Sequence, residues 1–227
     1  MMKRTLIAAA LALSTLPVMA GDMQKPLNLG EHLALRSYTG QAIGSVFTNV
    51  LKVESAGFAV NTSSICSTLT GAAAGEVVAH NRNTGAMMIG AFGKPEEAAA
   101  AFAQLKGKQA IGLMFGGQTP PEENAALVKA LLGEMAKADY QGPVFLHLAV
   151  WAGKMAEMAA AEDAAIAKYL AGKDNVYALT VDKEKGKGLV HNVSFKDGKQ
   201  ASVKVVHEAA MNDSWLELFK RSQIKRQ

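Results

Sequence analysis

The chain is 227 residues long, 49% hydrophobic and 19% charged, with 21 Gly and 6 Pro, a globular composition that excludes disordered, collagenous and low-complexity classes. The formal net charge is +4; losing Lys3 and Arg4 with a leader brings it to +2, too near neutral to read the pI of 9.1 as a nucleic-acid signature. A single cysteine, Cys66, excludes an internal disulfide, so stability must come from a buried core, for which about 207 mature residues are ample.

The first twenty residues read as a secretory signal peptide. Lys3 and Arg4 form a positive start, Leu6 to Leu13 an apolar run, and Val18-Met19-Ala20 a small-residue cleavage site; the run is far short of the roughly 20 residues a membrane span needs. The expectation is a mature protein in the bacterial periplasm or outside the cell, with no transmembrane segment. Residues 21–40 read as an extended arm with a short helix at 31–37. From Gln41 the apolar residues Ile43, Val46, Phe47, Val50 and Leu51 repeat on one helical face, although their β-branched members leave a strand open; Gly57 ends this element. The Ser/Thr/Ala/Gly-rich stretch 58–75 reads either as a close-packed connection or as a loop. Residues 76–80 and 86–92 flank Asn81-Arg82-Asn83-Thr84-Gly85 and predict a β-hairpin feeding the main sheet.

Strand-to-helix units follow. Pro95, Glu96 and Glu97 suit the first turn of a helix that carries Ala98, Phe102 and Leu105 on one face. The stretch 110–170 reads strand (110–115), helix (120–137), strand (144–151), helix (154–170), a βαβ unit that requires parallel pairing and cover on the sheet faces. Thr119-Pro120-Pro121-Glu122 predicts a capping box. The last helix of the unit is expected to bury Met155, Met158, Ala159, Ile166, Tyr169 and Leu170. Residues 176–181 predict another strand, and 190–195 and 201–207 flank Lys196-Asp197-Gly198-Lys199, whose Asp-Gly signals a hairpin turn. A final helix capped around Asn212 to Ser214 docks through Trp215, Leu218 and Phe219, and the cations Lys220, Arg221, Lys225 and Arg226 suit its C-terminal end. The fold class is therefore α/β: a mixed, mainly parallel sheet flanked by helices, closed by a β-hairpin and a helix. The chain divides into a leader (1–20), an N-terminal arm and helical segment packing on the core (21–75), and the α/β domain (76–227).

In an open α/β sheet, ligands sit at the carboxyl ends of the parallel strands. The loops expected there nominate Lys94, Gly116, Gly117, Gln118, Thr119 and Lys154 as ligand-binding residues, because helix N-termini offer free N–H groups and the lysines add positive charge. Glycine is equally what a tight turn needs, and neither GxGxxG nor GxxxxGK[ST] is present. The histidines His32, His80, His147, His191 and His207 show no metal-ligand spacing; His147 falls inside an apolar strand, and His191 and His207 lie on the two hairpin arms, where they could meet. There is no Gly-x-Ser-x-Gly elbow, so no residue is nominated as catalytic or metal-binding and no cofactor is expected. Cys66 reads as a small buried hydrophobe, with a reactive or intermolecularly bridged thiol as the alternative.

From Ala110 onward the order strand, helix, strand, helix, strand, hairpin, helix resembles the thioredoxin-like fold. Residues 143–151 resemble that family's central strand leading into its active-site helix, and Phe195-Lys196-Asp197-Gly198-Lys199 with Trp215 to Phe219 is similar to its closing hairpin and helix. The resemblance implies a three-layer arrangement. Where that family carries Cys-x-x-Cys this chain has Ala152-Gly153-Lys154, no proline follows Pro143 to supply the family's cis-Pro, and 182–188 is too short for the helix expected there; what it implies is a scaffold without the redox chemistry. The functional expectation is an exported, non-catalytic binding or accessory protein with a protein partner in the cell envelope. The alternative is a small-ligand binder or enzyme working through Lys94, Gln118, Thr119 and Lys154.

Overall fold

The computed structural model describes residues 25–222; the leader at 1–20 and the cations Lys225 and Arg226 lie outside them. The chain is α/β, with seven strands in one sheet of order β2-β1-β3-β4-β5-β6-β7. In chain order the elements are α1 (Leu29–Ser45), β1 (Ala56–Val60), α2 (Ser64–Asn81), β2 (Met87–Ala91), α3 (Ala98–Leu105), β3 (Ala110–Leu113), α4 (Pro121–Lys137), β4 (Val144–Leu146), α5 (Leu148–Ala152), α6 (Met155–Glu162), α7 (Ala164–Ala171), β5 (Val176–Asp182), β6 (Lys187–Lys196), β7 (Lys199–Ala210) and α8 (Asp213–Ser222). β1 to β5 run parallel, with Ile111 opposite Val144 and Leu113 opposite Leu146 in the expected βαβ unit. β6 and β7 then turn antiparallel.

Alternation along the strands sends side chains to two separate cores. Phe58, Val60, Met114, Phe145 and Leu179 face α1 and α2, where Phe47 stacks against both Phe58 and Phe145 at ring-centroid distances of 5.0 and 5.5 Å. Ile111, Leu113, Phe115, Val144, Leu146 and Val176 face α3, α4, α6 and α7 on the other side. Strands buried on both faces carry continuous apolar runs, which is why Ala110 to Phe115 and Val144 to Leu146 stand out in the sequence. A third, smaller cluster of Leu27, Leu35, Met211 and Trp215 fastens α8 to α1.

The N-terminal third departs from the expectation. The segments at 31–37 and beyond Gln41 are one helix, α1, extended by a π-helical turn, Val46–Val50. A capping box starts it: Glu31 N–H donates to Asn28 Oδ1 (3.0 Å) and Asn28 N–H donates to Glu31 Oε2 (2.8 Å). Gly57 does not end a helix; it lies inside β1, which comes from the 21–75 segment and sits in the sheet between β2 and β3. The unread stretch 58–75 and the expected strand at 76–80 belong mostly to α2, so there is no hairpin across 81–85, and β2 pairs with β1 in parallel instead. The small residues of this region are there for close helix approach. A Cβ at Gly40 of α1 would run into the Leu69 carbonyl oxygen, and one at Gly44 would lie 2.6 Å from the Ala73 carbonyl oxygen.

Smaller corrections follow the same logic of end chemistry. The strand expected to reach residue 151 stops at Leu146, because His147 is the N-cap of α5. The helix expected over 154–170 breaks at Asp163, whose Oδ1 accepts from Ala165 N–H (2.8 Å) and Ile166 N–H (3.3 Å) and starts α7. Met158, placed among the buried residues of that helix, is exposed. The capping box at Thr119 does not form: α4 begins at Pro121, so Glu122 falls one position too early and Pro120, the N-cap, has no side-chain acceptor. The hairpin turn is as read; Asp197 (φ 52) and Gly198 (φ 74) both take positive φ between the paired Lys196 and Lys199, as a type I′ turn requires.

β7 forms one edge of the sheet and is exposed along nearly all of its twelve residues, Val203 and Val205 included. It carries two register shifts against β6, each accommodating an extra residue on the β7 side. One follows. His191 stands opposite Val205 rather than His207, and its ring nitrogens lie 2.7 Å from Thr180 Oγ1 and 2.8 Å from Ser202 Oγ, so the two histidines do not meet.

Candidate functional site at the carboxyl edge of the sheet

After β1 the chain crosses to β2 on one side and then to β3 on the other, so the strand order reverses between β1 and β3. This is the switch point where doubly wound sheets open a crevice. Here the chain's own side chains close it. Asn61, just past β1, is 1% exposed, and so is Asn124 of α4. Asn61 Nδ2 donates to Asn124 Oδ1 (2.7 Å) and to the Gly116 carbonyl (2.9 Å), while Gly116 N–H donates to Asn124 Oδ1 (3.1 Å). Asn124 Nδ2 donates to the Thr119 carbonyl (2.8 Å), and Asn61 Oδ1 accepts from Ser63 Oγ (2.8 Å). Two asparagines thus pin the loop after β3 to the start of α2. An Asn124→Ala variant leaves the Gly116 N–H without its acceptor and removes one of the two bonds donated by Asn61 Nδ2, and should lose about 2 kcal/mol of stability in urea unfolding.

Of the residues nominated from the sequence, Gly116, Gly117, Gln118 and Thr119 lie together in this loop. Gly117 is packed so closely on α2 that a Cβ there would fall 2.9 Å from Cys66 Sγ. Lys94 stands after the edge strand β2, where the Gly93 and Lys94 N–H groups donate to Glu97 Oε2 (2.9 and 3.2 Å). Those are the donors an anion would have used. Lys154 lies beyond α5 and forms an ion pair with Glu157 (3.3 Å).

Open space occurs beside the switch point, over β4 and β5 on the α1 side. A cavity of about 180 Å³ lies there, lined among others by Arg36 and Thr39 of α1, His147, Leu148 of α5, Leu179 of β5 and Phe219 of α8. Thr39 Oγ1 is engaged, donating to the Leu35 carbonyl (2.8 Å) and accepting from Trp215 Nε1 (3.2 Å). His147 is 5% exposed, and its Nδ1 lies 3.2 Å from the Phe115 carbonyl oxygen and 3.4 Å from Ala149 N. Burial first, and the Arg36 charge second, push its pKa down to about 4, so the imidazole is neutral at pH 7.

Arg36 is the anomaly. It is half-buried in the cavity wall, and burial draws its pKa below the ordinary value. Among the described residues no carboxylate forms an ion pair with it, and its charge acts on Cys66 and on His147. Cys66 is buried and free, and burial raises its thiol pKa against the opposing effects of Ser63, Arg36 and Asn61. It therefore remains a protonated thiol at neutral pH. Arg36, Asn61 and Asn124 carry no local motif in the sequence; the Gly116-Gly117 loop that the two asparagines hold is the visible signal. Among the described residues no cluster of His, Cys, Asp and Glu could hold a metal ion, and no helix is long and apolar enough to cross a membrane.

A family model described as "Uncharacterized protein" matches residues 32–218 of the chain. No curated protein and no solved structure matches it.

Proposed function

From the premise that the chain belongs to this family over residues 32–218, we propose that it is an exported, non-catalytic binding protein. In this reading it serves as an accessory component of a cell-envelope process and holds a small anion in the cavity between α1, α5 and α8. One observation carries the reading: Arg36 stands half-buried in the cavity wall with no ion-pair partner among the described residues. Taking a cation out of water costs several kcal/mol unless a partner charge offsets it, and an anionic ligand supplies that partner. The leader-like segment with Lys3, Arg4 and Val18-Met19-Ala20 supports export.

The test is thermal unfolding of the wild type and of Arg36→Met with acetate, benzoate, phosphate and sulfate. A ligand at about 100 times its Kd adds about 2.7 kcal/mol to the native state. At least one anion should therefore raise the wild-type Tm by several degrees and leave Arg36→Met unmoved. Equal responses in both proteins, or none in either, would overturn the reading.

A further inference from the structure

We infer that the ligand is a monocarboxylate with a compact apolar body, of the size of benzoate or hexanoate; this rests on the anion reading of the same cavity. Three features of the wall lead there. The first is size. An apolar cavity of about 150 Å³ accepts benzene, whereas sites for drug-sized ligands start at about 300 Å³. At about 180 Å³ the space takes a single small ring or short chain and leaves no room for a nucleotide.

The second is charge. Arg36 supplies one positive charge in a planar fork that matches a carboxylate with two parallel N–H···O bonds. The other polar groups whose partners are known are already engaged: Thr39 with Leu35 and Trp215, and His147 Nδ1 at the Phe115 carbonyl. The acids on α1 and α8 are already drawn to a cation of their own. Glu31 and Glu217 both pair with Arg221, Glu31 through contacts of 2.8 Å to Nη1 and 3.0 Å to Nη2. A phosphate, with more charge and more oxygens, would find one cation and few donors.

The third is the remaining surface. Leu148, Ala149, Ala152, Leu179, Val181 and Phe219 supply the apolar part of the lining. A carboxylate head on Arg36 places the rest of the ligand against them, where each buried methylene is worth about 0.8 kcal/mol.

Isothermal titration calorimetry on the full mature chain at pH 7 provides the test, with benzoate, hexanoate, benzyl alcohol and inorganic phosphate as probes. Benzoate or hexanoate should bind at one site per chain, and Arg36→Met should weaken that binding about 100-fold. Benzyl alcohol, which has the ring without the charge, should bind the wild type about as weakly as benzoate binds Arg36→Met. Ala152→Trp, a substitution at an exposed position on the apolar wall, should weaken benzoate at least about 10-fold with the melting temperature unchanged. If phosphate binds in an Arg36-dependent way and neither carboxylate does, the monocarboxylate inference falls while the anion reading stands. If benzyl alcohol equals benzoate and Arg36→Met changes nothing, the anion reading falls with it. Absence of binding by both carboxylates also overturns the inference.

Discussion

Gly40→Ala should lower the melting temperature by about 6–12 °C, while Gly75→Ala, on the helix that packs against it, should raise it by about 2–4 °C. The two substitutions add the same methyl group, and their surroundings decide the sign. At Gly40 the new carbon would run into the Leu69 carbonyl oxygen and lie 2.8 Å from Ala72 Cβ. A backbone oxygen cannot swing aside as a long side chain can, so α1 and α2 must separate and the Phe47–Phe58 core between them and the sheet loosens. Overpacking of this kind costs about 3 kcal/mol at the upper end of its range, and each kcal/mol moves Tm by about 2–4 °C in a domain of this size. At Gly75 nothing stands within 4 Å and the residue is exposed. Alanine there gains about 1 kcal/mol from helix propensity alone. Thermal unfolding followed by circular dichroism reads both, and a rise in Tm for Gly40→Ala would mean that the two helices do not approach as described.

The second large effect concerns pH. His147 has a native pKa of about 4 against an ordinary value of 6.5, because its ring is buried and Arg36 repels a second positive charge nearby. Above pH 6.5 the imidazole is neutral in both folded and unfolded chains, and the native state keeps its full stability. Between pH 6.5 and 4 the unfolded chain takes up a proton that the native site refuses, so stability falls by about 3 kcal/mol across that window and then levels as far as this group is concerned. His191 is also depressed by burial, in a more open setting. The depressed carboxylates Glu97, Glu157, Asp182 and Glu208 act lower in pH. His147→Asn isolates the contribution, since asparagine can still cap α5 through Ala149 N–H and does not titrate. The variant should lose most of the slope of unfolding free energy between pH 6.5 and 4.5; a slope as steep as the wild type's would show that His147 is not the group responsible.

These two sites also show where the sequence could be read and where it could not. Ala110 to Leu146 was legible because a doubly buried strand, a turn and a charged-face helix each leave a local signature: Ile111 and Leu113, then Gly116-Gly117, then Leu127, Leu131 and Met135. α2 left none. Its contacts demand small residues at Ala72 and Ala73, and small residues look alike in a loop and in a tight helix pair. Val77 and Val78 added a β-branched pair that suggested a strand, yet Val77 is buried on α2 and the helix runs on to Asn81, where Arg82 at φ 51 ends it. β1 was hidden for a related reason, since Gly57 and Ala59 gave the five residues the look of a break. The site was half visible. The Gly116-Gly117 loop could be nominated from turn chemistry, but the groups that give the region its character come from 36, 61, 124 and 147. Their meeting depends on strand order, which no local pattern encodes.

The outer edge of β7 has a consequence for how these molecules coexist at high concentration. A long bare strand with Val203 and Val205 in water is a template on which another chain could propagate sheet, the first step toward fibres. The two supernumerary residues on β7 interrupt the even row of donors and acceptors and coil the strand away from flatness. Resistance to edge-to-edge association is thereby written into two insertions, Val203, which stays in water, and Val206, which also packs against the core on the α1 side.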